Sequence, residues 1–196
     1  TTTAVNLDIS HPPGYPLFTL LGRAAAQIPA GSVAWRVALV SALAAAWTLF
    51  AVSRGLRLLG VSWVAASLAL AAIGFAPTFV FLAGVAEVFT LNTAIAATLV
   101  WLAASAGGTP RAGWRSFVLG LVIGLGGANH HTIVFTLPTA IVAFVALLRS
   151  GERKRIVVAA VFAGVALGLT PYLHLVTAGG TAGWPRWGET ATIDGF

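Results

Sequence analysis

Residues 149–177 read RSGERKRIVVAAVFAGVALGLTPYLHLVT, a short basic loop followed by a long apolar run. Arg149, Arg153, Lys154 and Arg155 crowd the loop, and beyond them only His174 can take up a positive charge before Thr177. Roughly 20 mostly apolar residues, rising 1.5 Å each, cross about 30 Å of hydrocarbon. The stretch 154–177 has that length, and the cluster in front of it has the form of a topology determinant. Working outward, the same pattern recurs at about 34–53, 58–76, 86–105, 115–129 and 131–149. The fourth of the six stretches is short and glycine-rich, so a tilt or a break is expected near Gly126-Gly127. Residues 16–28 are too short to span and contain Arg23, which predicts an amphipathic helix along the interface. Residues 77–85, after Pro77, read as a second interfacial or re-entrant piece.

The expected fold is therefore an all-α integral membrane protein with six transmembrane helices and one or two interfacial ones. An external loop with an interfacial helix occupies 1–33, the bundle 34–177, and an external segment 178–196. Composition agrees: 58% of the residues are hydrophobic and 8% charged, against about 25% charged in a soluble domain. The net charge of +6 could suggest nucleic acid, but the basic residues sit in short clusters between apolar runs, so no nucleic-acid partner is expected. With no cysteine there is no disulfide framework, thiolate metal site or thiol nucleophile. A chain without methionine that begins at Thr1 is expected to be truncated or processed, at both ends.

Orientation follows from the basic residues. With Arg54 and Arg57 in the cytoplasm, alternation places Arg111, Arg115 and the 149–155 cluster there too, leaving only Arg23, Arg36 and Arg186 outside. Asp8, Glu87, Glu189 and Asp194 then fall outside, with Glu152 the sole internal acid, and His11, His130, His131, Tyr15, Trp184 and Trp187 join them. One face carries charge for topology; the other carries groups fit for chemistry.

Four constellations lie on that outer face. In Asp8-Ile-Ser-His11-Pro-Pro-Gly-Tyr-Pro-Leu17, three prolines and a glycine make a rigid turn, which either holds a histidine or carboxylate toward a substrate or simply separates two elements. Glu87, in Ala86-Glu87-Val-Phe-Thr-Leu-Asn92, is costly facing lipid and should face the bundle interior or an aqueous cavity; the plainer reading is a carboxylate at a helix N-terminus. Asn129-His130-His131-Thr132 could contact substrate, or bind phosphate when protonated. Adjacent helical side chains diverge by about 100°, so a shared metal is not expected. Trp184-Pro-Arg-Trp187 suits an interface anchor or a platform for a sugar.

His11-Pro-Pro-Gly-Tyr-Pro-Leu17, with Leu20-Leu-Gly22, Trp35-Arg36 and Ser41-Ala-Leu43, resembles the start of a bacterial multi-spanning family long catalogued as a domain of unknown function. Its animal relatives are protein O-mannosyltransferases of the GT-C type. Ala86–Asn92, Ala128-Asn-His-His-Thr132, and Trp187-Gly-Glu-Thr190 with Gly195-Phe196 resemble its further signatures in matching order. The resemblance implies a GT-C-like membrane glycosyltransferase that moves a sugar, with mannose the expected one, from a polyprenyl-phosphate donor to a protein or glycan acceptor. Transfer would take place at the periplasmic face of a bacterial inner membrane. It assigns catalytic roles to Glu87 and His11, more weakly to Asp8, and substrate contacts to Tyr15, Arg36, Asn92, His130, His131 and Trp187, Arg36 being the phosphate candidate. No cofactor is implied, with a divalent metal ion left open. In the family an acidic pair precedes the His-Pro-Pro-Gly motif at a distance that here falls before Thr1, and Asp8 stands where glycine is more usual. That departure supports a second reading, a non-catalytic structural subunit of a larger membrane complex. A transporter, the third reading, needs polar groups at mid-membrane depth rather than near one surface.

Overall fold

In the computed structural model, residues 2–7, 14–107 and 111–179 are described. All regular structure among them is helical: α1 (Thr2–Asn6), α2 (Pro16–Ala26), α3 (Val33–Leu58), α4 (Trp63–Gly74), α5 (Pro77–Gly84), α6 (Val88–Ala104), α7 (Ala112–Asn129), a 3-10 turn (His131–Thr136) leading into α8 (Leu137–Leu148), then α9 (Lys154–Gly168), a second 3-10 turn (Thr170–Tyr172) and α10 (Leu173–Gly179). Punctuation in the sequence explains the starts. Ser32 and Ser62 accept hydrogen bonds from the backbone N–H groups of Trp35 and Ala65, each at 3.2 Å, and so cap α3 and α4. Proline opens α2 and α5, where its missing N–H costs nothing.

Among the described residues, three helical stretches are long and apolar enough to cross a membrane: Val33–Leu58, His131–Leu148 and Lys154–Thr177. The pair α4 and α5 qualifies as a fourth if taken as one span, bent by 61° at the break before Pro77. Of the six stretches expected from sequence, these account for four. The other two form α6, apolar but only 17 residues long, and α7, which carries Arg115. The piece at 77–85, expected as interfacial or re-entrant, is a short helix packed against α3, and its bend against α4 fits either a broken span or a re-entrant loop. One expectation changes. The break near Gly126-Gly127 does not occur: α7 runs through both glycines to Asn129. Gly126 is there for proximity, since a Cβ on it would meet the Ile133 side chain at 2.6 Å and Ile95 at 3.2 Å.

Packing is inverted relative to a water-soluble protein. Ala44, Ala45, Ala51, Ala94, Ala97, Ala140 and Ala143 are buried, whereas Leu43, Trp63, Leu68, Phe75, Phe135 and Phe162 are each more than 60% exposed. So much large apolar surface turned outward suits hydrocarbon, and small residues at helix contacts are what drives association there. The tightest contact joins α7 to α9. Gly120, Gly124, Gly164 and Gly168 face one another across it, so that the two Gly-x-x-x-Gly motifs of the sequence pair together. A Cβ on Gly120 would overlap the Val161 carbonyl, and one on Gly164 the Phe117 carbonyl; on Gly124 and Gly168 it would lie 2.5 Å from the Val165 and Leu121 oxygens.

The N-terminal end of α7 is tied down separately. Glu152 accepts a hydrogen bond from the Gly113 backbone N–H at 2.8 Å, and Arg115 donates to the Ser105 carbonyl. The opposite end gathers the polar residues described next. Gly120→Val or Gly164→Val should each destabilise the bundle by about 1–3 kcal/mol, because the neighbouring atoms are backbone and cannot turn aside. Gly84→Ala, with nothing within 4 Å of the new methyl group, should change stability by less than about 0.5 kcal/mol. Thermal unfolding in detergent reads both.

Candidate functional site

Glu87 ends the extended link between α5 and α6, with φ −134° and ψ 141° at the N-cap of α6. Its main chain is gripped from α3. Ser41 Oγ donates to the Glu87 carbonyl and accepts from the Glu87 N–H, both at 3.1 Å, and the serine is fully buried. The Glu87 carboxylate caps no backbone N–H of α6 and is half-buried. Among the described residues it takes part in no hydrogen bond or ion pair. An acid so placed keeps its lone pairs for something else.

Tyr15 arrives from the other side. It precedes Pro16 and adopts a left-handed backbone, φ 45° and ψ 50°, whereas residues before proline favour extended conformations. Such a conformation costs a non-glycine residue about 1–3 kcal/mol and persists only where surroundings impose it. Here the ring lies parallel to that of His130, centroids 5.2 Å apart and planes 4° from coincident. Burial, and after it the negative charge of Glu87, raises the Tyr15 phenol above its ordinary pKa of 10.0, so the phenol stays protonated as a donor at neutral pH.

His130 interrupts the chain between α7 and the 3-10 turn with extended backbone. Its ring also contacts His131 (4.7 Å between centroids) and Phe89 (5.4 Å). Nδ1 of His130 accepts from the Thr132 N–H at 3.2 Å and lies 2.8 Å from Thr132 Oγ1, which in turn accepts from Asn92 Nδ2 at 3.3 Å. Asn129, wholly buried, donates to the Val88 carbonyl at 3.2 Å and so ties the end of α7 to the start of α6. The Oδ1 atoms of Asn92 and Asn129 are buried without partners.

The structure thus brings Tyr15, Glu87, Asn92, His130 and His131 to one end of the bundle. Arg36 belongs to another place. Its guanidinium donates to the Ala26 and Ile28 carbonyls, at 2.6 and 2.5 Å, and closes the far end of α2, about 16 Å along that helix from Tyr15. Asp8, His11 and Trp187 lie outside the described residues. Three contributors carry no individual role in the sequence reading: Ser41, and Asn129 and Thr132, which flank the two histidines of their motif. The signal available for them was polarity within apolar stretches, which in a membrane protein marks bundle-facing positions. No group of three or more potential metal ligands occurs among the described residues.

Two apolar hollows flank this cluster. One, of about 540 Å³, runs between α2, α3, α6 and α7, from Leu21 and Leu91 to Trp47, whose indole N–H donates to Thr98 Oγ1 at 2.9 Å. The other, of about 390 Å³, lies on the far side of α6 and α7 and is lined by His131, Ile133, Leu137, Val165 and Tyr172 among others.

Comparison with known proteins decides the lineage. Residues 1–154 match the family described as Protein O-mannosyl-transferase TMEM260 N-terminal domain. The chain belongs to the TMEM260 N-terminal-domain family. It is also 32% identical, over its whole length, to the mouse (Mus musculus) protein named Protein O-mannosyl-transferase TMEM260, of which it spans 29%. No solved structure matches it. The relation to animal O-mannosyltransferases implied by the His-Pro-Pro-Gly and Asn-His-His-Thr motifs is therefore established.

Within this family member the Ser41 clamp is open to test. Ser41→Ala removes two hydrogen bonds to one residue and leaves a buried amide N–H unsatisfied, a loss of about 1–3 kcal/mol. Chemical unfolding against the unaltered protein measures it.

Proposed function

We propose that the chain is the membrane core of a GT-C-like glycosyltransferase that moves a sugar, mannose by relationship, from a polyprenyl-phosphate donor to a protein or glycan hydroxyl. The observation that carries this reading is the half-buried Glu87 carboxylate, unpaired among the described residues, whose charge reaches Tyr15 at the edge of the stacked Tyr15–His130–His131 rings, in a chain belonging to an O-mannosyltransferase family. Glu87 takes the proton of the acceptor hydroxyl as its oxygen attacks the anomeric carbon. The bond from that carbon to the phosphate oxygen breaks, and polyprenyl phosphate departs. Tyr15, His130, His131 and Asn92 meet sugar hydroxyls and phosphate oxygens, with His11 and Trp187 as further contacts and Asp8 as a lesser acid. Arg36 would meet the phosphate from the far end of α2, where its guanidinium also holds the Ala26, Ile28 and Ser32 carbonyls. The 540 Å³ hollow that begins one residue from Asn92 takes the lipid tail.

In this reading all six apolar stretches cross. At 17 and 18 residues, α6 and α7 cover about 26–27 Å, near the lower limit for a span. The cluster then faces the non-cytoplasmic side, the periplasm if the membrane is a bacterial inner one, with the 149–155 loop in the cytoplasm. The absence of native cysteine makes this directly testable. In sealed, oriented vesicles Ala30→Cys should react with an impermeant maleimide from outside, and Arg153→Cys only after permeabilisation; the reverse pattern would overturn the orientation.

The chemical test uses the full-length protein in proteoliposomes with polyprenyl-phosphate mannose and a hydroxyl acceptor. Glu87→Gln should lower kcat by about 100-fold or more, the scale of a lost general base, with a normal unfolding midpoint. Undiminished transfer by this variant would remove Glu87 from the chemistry.

A further inference from the structure

Three basic groups that lie far apart in the sequence come together at the end of the bundle opposite the histidines. Gly55 on α3 packs against α6, where a Cβ on it would lie 3.7 Å from Trp101 Cα. Arg115 on α7 donates to the Ser105 carbonyl just past α6, and the Gly113 N–H donates to Glu152 in the 149–155 loop at 2.8 Å. Arg54 and Arg57, Arg111 and Arg115, and the four cations of 149–155 therefore share one end, eight of the chain's eleven Lys and Arg residues. Arg57 is engaged: it donates to the Val61 carbonyl, and its guanidinium lies 4.2 Å from the centroid of the Trp63 ring. Arg115 is engaged as well. Arg54, Arg111 and the four cations of 149–155 are exposed, and their side chains form no hydrogen bond or ion pair among the described residues. Glu152, the sole acid among the described residues at this end, is half-buried and turned to Gly113.

What surrounds these charges selects their partner. Leu58, Leu59, Trp63, Trp114 and Ile156 stand exposed among them, and the Trp114 ring stacks on Phe117 one turn further along α7, centroids 5.6 Å apart. A face turned to a soluble polyanion would leave those indoles and aliphatic chains in water. Indoles interleaved with cations belong in the headgroup layer of a bilayer, at the level of its phosphates. We propose that this end of the bundle binds anionic phospholipids of the surrounding leaflet. The six exposed cations meet headgroup charge, and the tryptophans hold them at headgroup depth. A lipid whose phosphate meets Arg111 lays its chains along Trp114 and Phe117. The selection is for net charge in the headgroup and not for the acyl chain. It needs neither sugar transfer nor a particular side of the membrane.

The test offers the full-length protein, in neutral detergent, equal amounts of phosphatidylglycerol and phosphatidylcholine with identical acyl chains, and counts bound lipids by native mass spectrometry. Phosphatidylglycerol adducts should outnumber phosphatidylcholine adducts by about tenfold or more. Raising the ammonium acetate concentration from about 0.1 M to about 0.5 M should bring the two toward parity, because the shorter Debye length screens exposed charges. The combined variant Arg111→Gln, Arg153→Gln, Lys154→Gln, Arg155→Gln should lose the preference. Arg111→Lys, Arg153→Lys, Arg155→Lys should keep it, which separates loss of charge from loss of fold. Equal adducts on the unaltered protein would leave the cations a topology signal alone and overturn the proposal. A preference that survives the four glutamines would overturn it too. So would displacement of phosphatidylglycerol by equal concentrations of glycerol phosphate or of an RNA oligonucleotide, which would make the ligand a soluble phosphate or a nucleic acid. The readout involves no sugar, so this result and the transferase reading fail separately.

Discussion

Where α7 meets α9 the two backbones are separated by little more than the hydrogens of Gly120, Gly124, Gly164 and Gly168. Hydrocarbon gives no hydrophobic reason for helices to associate, so shape has to do it, and a glycine face against a glycine face is the closest fit available. The contact reaches the polar end of the molecule through α7 itself. Its last residue is Asn129, bonded to the Val88 carbonyl, and His130 follows at once. Tyr172, just past α9, donates to the Gly127 carbonyl at 3.0 Å and closes the same corner. The depth at which the histidines sit is thus inherited from four glycines well below them.

Above that base the polar residues hold one another by main-chain bonds more than by side-chain pairs. Ser41 grips the backbone of Glu87, Asn129 that of Val88, and Thr132 gives its N–H to His130 Nδ1 with its hydroxyl oxygen 2.8 Å from the same nitrogen. Each bond joins two different stretches or closes a break between helices. Such cross-links suit a medium where an unmatched polar group has no water to turn to. Among the described residues they also leave the carboxylate of Glu87 uncommitted.

Much of this was legible in the sequence, for stated reasons. Hydropathy and charge clustering marked the apolar helices; the glycines spaced four apart at 120–124 and 164–168 allow close helix approach, but their spacing does not say which helices they join. Alternation of the six expected spans would put the polar residues on one side, and in the fold Tyr15, Glu87, Asn92, His130 and His131 lie at one end of the bundle. Two things were not legible. Gly126-Gly127 looks like a helix breaker in one dimension, and only the presence of Ile95 and Ile133 across the gap shows why glycine is needed in an unbroken helix. Arg36 looks like a phosphate ligand by type and position, yet carbonyls left open at the end of α2 claim it, and no local pattern announces that.

The serine on α3 has one more consequence. Both of its bonds go to main-chain atoms that every residue but proline possesses, so what α3 secures is position 87 and not the acid that occupies it. The carboxylate rides on a mount built independently of it, and the side chain can be exchanged while the mount keeps its shape. Scaffold and side chain are, at this point of the chain, separately inheritable.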